Sequence, residues 1–270
     1  GGQAAGIMVA IGIGAMMIIT VTLVEQALLH QVQESRPADA PTFFFIDIQP
    51  DQAQEFVSLV QRQIGQVIPE LTPLVRSRLH AINGHIVTAE EGMQKDEKRS
   101  NGKEERGKQW YLTREYVLTF LEQLPKDNRL VKGEWWKLGQ VFSTPHVSVE
   151  EEAAIHLGLE IGSLVELDIQ GTIMSAEVSS IRKVEWGNFS TNFYMIFSPG
   201  ALEGAPFTYV ATVRVSPDQE VPLQQAVVAL FPNVSAIHIG DVLDGVARVL
   251  DRLALIDPDQ LAPRAALDLL

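Results

Sequence analysis

Residues 4–24 read AAGIMVAIGIGAMMIITVTLV, 21 positions without a charge and with only Thr20 and Thr22 carrying hydroxyls. Wound as a helix rising ~1.5 Å per residue, the run reaches about 30 Å, the thickness of a bilayer's hydrocarbon core. A secretory signal has a shorter apolar stretch behind positive charge, and neither Lys nor Arg precedes this one. A buried helix of a soluble protein rarely stays charge-free over so many turns. The reading is therefore a single N-terminal transmembrane helix. Gly6, Ala10 and Gly14 recur every four residues along it and stack small side chains on one face, where a companion helix could pack.

Outward from the run, residues 1–29 hold the span and the start of a stalk, and 30–42 a linker that Pro37 and Pro41 end. Residues 25–43 carry only Arg36 against Glu25, Glu34 and Asp39, so positive charge does not hold this flank in the cytoplasm. The module that follows is expected to face the periplasm. The chain opens on Gly1, which reads as a segment of a longer polypeptide.

Residues 43–240 have the pattern of a mixed α/β domain. FFFIDI at 43–48 reads as a strand, and 52–64 as a helix with Phe56, Leu59, Val60 and Ile64 on one face. Asn83-Gly84, between alternating segments, predicts a tight hairpin turn because both residues tolerate positive φ. Residues 89–108 contain KDEKRSNGKEERGK, six basic and four acidic side chains without an apolar one, and predict a mobile charged loop. A strand-rich subdomain follows over about 110–200. It comprises strand-like alternation from Trp110, a turn over 125–133, a capping box from Ser148 to Glu151 before a short helix, and strands at 164–170, 173–184 and 192–197. Beyond it come a strand at 207–215, a helix at 219–231 and an extended segment at 234–239. Residues 241–256, with Val242, Val246, Val249, Leu250 and Leu253 on one face, read as a return stalk helix, and 257–270 as a polar tail. The fold class is α+β.

Several chemistries lack their signatures. A net charge of −13 opposes binding to nucleic-acid phosphates, and with no cysteine there is neither a disulfide framework nor a thiolate metal site. No phosphate-cradling glycine loop, HExxH or GxSxG occurs. His80 and His85 flank the hairpin turn and read as a surface pair; Asp47 and Asp51 read as a strand edge and a helix cap. Of Trp135 and Trp136, adjacent on an extended segment, one is expected buried and one exposed. No catalytic, cofactor or metal residue is assigned, and the chain is not read as an enzyme.

FFFIDIQPDQ at 43–52, PLVRSRLHAING at 73–84, LPKDNRLVKGEWW at 124–136, VSVEEEAAIHLGLEIGSLVELDIQG at 147–171 and SSIRKVEWGNFSTNFYMIFSPGAL at 179–202 together resemble FtsX-like permeases of bacterial ABC transporters, of the YbbP type. The resemblance covers about residues 5–256. It implies a permease subunit related to macrolide-exporting and lipoprotein-releasing machines, in the inner membrane with its domain in the periplasm. Its implied partners are a cytoplasmic ABC ATPase that hydrolyses ATP, further permease helices or a second permease copy, the lipid bilayer and a periplasmic protein, but no nucleic acid. Movement of the helices would reach the domain mechanically, for export or release of a substrate. The family continues from the return stalk into another span, where this sequence has Asp257-Pro258-Asp259. A membrane-tethered binding or scaffold protein without ATPase coupling is the alternative.

Overall fold

Phe43–Ile48 (β1) shows how the apolar pattern is converted into a fold. Strict alternation from Phe43 and Phe45 would turn Asp47 inward. Instead Asp47 takes φ 66°, the pairing register shifts between Phe45 and Ile48, and Ile48 becomes fully buried in its place. A bulge thus keeps a carboxylate out of the core. In the computed structural model, the described residues are 16, 20, 40–65, 68–87, 104–140, 142–187 and 190–254. The run at 4–24 lies outside them except for Met16 and Thr20, both helical, as do Gly6, Ala10 and Gly14. Among the described residues no helix is long and apolar enough to cross a membrane.

After β1 comes helix Ala53–Ile64 (α1), burying the expected Phe56, Leu59 and Val60. Its N-cap is Gln52 rather than Asp51, and Gln52 makes no side-chain cap bond to the helix. Strand Glu70–Ile82 (β2) turns at Asn83-Gly84, with φ 49° and 77°, into His85–Ile86 (β3), so the hairpin is as predicted. Glu104–Thr113 is a helix (α2), so 104–108 are not loop and Trp110 is not in a strand. The strand there, Glu115–Phe120 (β4), starts after the helix ends. Alternation alone did not separate the two.

Asn128–Gly133 (β5) and His146–Glu150 (β6) are further strands, the first lying where the sequence reads as a turn. Helix Glu151–Leu157 (α3) is capped by Glu150, whose Oε2 accepts from the Ala153 N–H at 2.8 Å. Ser148 is no cap; it is buried in β6, and its hydroxyl accepts from Ser180 Oγ at 2.8 Å. Leu164–Ile169 (β7), Thr172–Val184 (β8), Met195–Phe197 (β9), Thr208–Val213 (β10), Pro217–Leu230 (α4), Ser235–His238 (β11) and Ile239–Ala254 (α5) complete the described order.

Two lobes share β2. Its first half pairs with β10, giving the spatial order β11-β1-β10-β2 with antiparallel neighbours. With α1 after β1 and α4 after β10, this is a β-α-β-β-α-β layer of the ferredoxin-like kind, with everything from β3 to β9 inserted between its second and third strands. Phe43, Phe45, Phe56, Ala211, Leu223, Val227 and Phe231 fill the core between sheet and helices.

The second half of β2 pairs with β4 and with β7. From β4 the pairing passes to β9, β6, β8 and back to β7, closing a ring of strands. Closure removes exposed edges from this barrel, with β5 added outside it on β8. Val75, Leu118, Val147, Leu167, Val178 and Phe197 are among its buried core residues.

Candidate functional site

Two places stand out once the layers are assembled, and the first is where the chain enters and leaves the layer. Phe43 opens β1 and lies opposite His238, the last residue of β11. The Ile239 N–H donates to the Thr42 carbonyl at 3.0 Å, and the Thr42 N–H to Val213 at 2.9 Å. Entry and exit are therefore hydrogen-bonded neighbours. Helix α5 begins there, at Ile239.

His238 joins four elements at this junction. Its ring lies 5.0 Å from that of Phe43, Nε2 is 3.4 Å from Glu220 Oε2 on α4, and Nδ1 is 3.3 Å from Asp241 Oδ1 on α5. The Asp241 N–H also reaches Nδ1 at 3.3 Å. A Cβ on Gly240 would come within 2.7 Å of His238 Cε1, so glycine there lets the imidazole lie across the helix start. The groups form a joint, with no nucleophile or general base aimed at an open cleft.

The second place is an aromatic stack on the barrel. Arg114 follows the end of α2, where a cation suits the helix dipole, and its guanidinium carbon sits 3.9 Å from the Trp110 ring centre, 4.3 Å from that of Tyr194 and 5.5 Å from that of Tyr116. Trp186 covers the Tyr194 ring with centroids 4.6 Å apart. Trp110 and Trp186 are 49% and 47% exposed.

The backbone beneath the stack is held from inside. The Glu150 N–H donates to the Tyr194 carbonyl at 2.8 Å, and fully buried Arg182 donates through Nη2 to Phe193 and through Nη1 to Tyr194. Burial pushes Arg182 down to about 9, with the charge of Glu150 opposing the shift. The Tyr116 hydroxyl donates to the Tyr111 carbonyl at 2.5 Å. Burial raises Tyr111 to about 12, and burial likewise raises Tyr116 well above the usual phenol value.

The residues singled out from sequence lie elsewhere. His85 is opposite Ile82, and the His80 carbonyl accepts from Val87, so the two histidines are not cross-strand partners. Asp47 is at the β1 bulge and Asp51 in the turn before α1. Trp135 and Trp136 do not point apart: they follow β5 outside a strand, and their rings lie 3.9 Å from each other. Their indole N–H groups donate to Glu122 and Leu121 at 3.0 and 2.8 Å, which makes them pins for the end of β4. Sequence reasoning passed over Trp110, Arg114, Trp186 and Tyr194; the four-residue spacing of Trp110 and Arg114 at a helix end was their one local signal.

The chain is 29% identical over 238 residues to the uncharacterised ABC transporter permease YbbP of Escherichia coli K12, which covers 88% of this chain. It spans about a quarter of that relative, 26% of its length. A solved domain assigned to a permease protein of Porphyromonas gingivalis overlaps 67% of this chain and 79% of its own, at 13% identity and a TM-score of 0.32, too loosely to equate the folds. The family model described as the DNA mismatch repair protein MutS C-terminal region matches residues 245–270, less than a tenth of the chain.

Proposed function

The chain is a relative of an ABC transporter permease, and from this premise we propose that it forms the membrane-anchored periplasmic portion of a permease subunit in a bacterial inner membrane. In this reading residues 4–24 span the bilayer, with Gly6, Ala10 and Gly14 as the face for companion permease helices or a second copy. A cytoplasmic ATPase hydrolyses ATP, and helix movement reaches the periplasmic module for export or release of a substrate. The chain itself performs no covalent chemistry.

The observation that carries the reading is the permease likeness, which extends over 88% of the chain. The junction supports it. Entry and exit are bonded side by side through Ile239 and Thr42, so the incoming segment and helix α5 load adjacent strands of the same layer. A displacement applied there enters the layer through β11 at its edge and through β1 beside it, which passes the pairing on to β10.

The test is affinity purification of the tagged chain from native membranes. An ABC ATPase should be recovered with it, and Gly14→Ile should reduce that recovery if the small-residue face packs against companion helices. Recovery of the intact chain with neither an ATPase nor a companion permease overturns the transporter reading and favours the tethered scaffold.

A further inference from the structure

The Arg114 stack combines three features that a purely structural clamp does not need together. It exposes two large apolar rings about half-way, it carries a cation without an acidic partner among the described residues, and its backbone is fixed in advance. Trp110 and Trp186 present nearly half their surface to solvent. Arg114 makes no ion pair with any described acidic side chain, although the protein carries a net −13. Its Nη1 is buried without an acceptor, and among the described residues its guanidinium makes one hydrogen bond, a long one of 3.4 Å from Nε to the Glu115 carbonyl. Two neighbouring acids are engaged elsewhere: Glu115 pairs with Arg76 at 3.5 Å, and Glu150 caps α3 beside Arg182.

From these observations we infer that Trp110, Arg114, Tyr194 and Trp186 form a docking surface for a protein partner presenting an Asp or Glu carboxylate among apolar side chains. The carboxylate supplies the counter-charge that no described residue gives Arg114, and the partner's apolar groups cover the two indoles. Trp, Tyr and Arg are the residue types that concentrate binding energy at protein interfaces. Preorganisation favours the contact further. The guanidinium is already held between two rings, and the Tyr194 backbone is fixed through its carbonyl by Glu150 and Arg182, so little freedom of the guanidinium and of that backbone remains to be lost on binding. A nucleic-acid partner is disfavoured by the net charge. The inference stands independently of the transporter reading.

The test uses the full 270-residue chain in detergent and two acetylated, amidated pentapeptides, Leu-Phe-Glu-Phe-Leu and its Gln twin, each followed by calorimetry at low salt. The Glu peptide should bind about tenfold more tightly or better, as expected for a hydrogen bond to a charged group. Arg114→Gln should abolish the difference between the twins, and Trp186→Ala should weaken both peptides about fivefold or more, the scale of an interface aromatic. Equal affinities for the twins on the unaltered protein overturn the inference, as does discrimination that survives Arg114→Gln, or binding of neither peptide. If Arg114→Gln does not fold by circular dichroism, Trp186→Ala decides: its ring is half exposed, and unchanged binding there also overturns it. Binding to phosphatidylglycerol vesicles with no preference between the peptides would identify the face as a lipid contact instead and sink the protein-partner reading.

Discussion

At the scale of single residues, the two phenols beside Arg114 give the clearest dependence on pH. Tyr111 and Tyr116 are held above the ordinary phenol value of 10, so between pH 10 and about 12 the unfolded chain ionises while the folded one stays protonated. The unfolded state then binds fewer protons, and stability falls as pH rises through that window; below 10 both states are neutral and the two residues add no slope. Buried Arg182, pushed down to about 9, acts in the opposite sense over the same window, so the phenol contribution is read by difference. In denaturant titrations the stability of Tyr116→Phe should fall less, or rise more, from pH 9 to pH 11 than that of the unaltered protein, and an equal change would assign the effect elsewhere. His238 is the other residue to remove. His238→Ala deletes partly buried contacts to Glu220, Asp241 and the Phe43 ring, and should lower stability by about 1–2 kcal/mol in thermal denaturation. No change would mean that the joint is held by its backbone bonds alone.

Among elements, β5 illustrates what local pattern cannot reveal. NRLVKG at 128–133 lies between Pro125 and Gly133 and has three polar residues, the composition of a turn, yet it pairs with β8 from Asn128↔Val184 to Gly133↔Ser180. Partnership made it a strand. Gly133 closes that pairing with φ 75°, and a Cβ there would meet the Ser179 carbonyl oxygen at 2.2 Å. Gly133→Ala should therefore destabilise the protein by about 2 kcal/mol or more, combining left-handed strain with backbone displacement, and chemical denaturation measures it. An unchanged midpoint would show that β5 detaches freely. The converse case is β1 and α1, legible in advance because FFFIDI has strand composition and Phe56, Leu59 and Val60 share one helical face. The helix at 104–113 was hidden by its charge: EERGK resembles the solvated run before it, and only Tyr111 of its described side chains is buried against the core.

For the whole molecule, β2 decides how the lobes behave, since one unbroken strand from Glu70 to Ile82 belongs to both the layer and the barrel. The four tryptophans, at 110, 135, 136 and 186, report on the barrel side, while Phe56 lies in the layer's core. Phe56→Ala should cost about 3–5 kcal/mol and move the fluorescence and circular-dichroism transitions together. A fluorescence transition left in place would show that the lobes unfold separately. By itself the sequence determined the mixed α/β class, the Asn83-Gly84 turn, most strands of the second half and the run at 4–24, because composition, periodicity and turn chemistry are local properties. It also carried the permease resemblance. Only tertiary structure decided that residues 43 and 238 adjoin, that a barrel is inserted between the second and third strands of a four-stranded layer, and that Trp110, Arg114, Trp186 and Tyr194 form one face. These depend on contacts between residues far apart in the chain, which local spacing cannot specify.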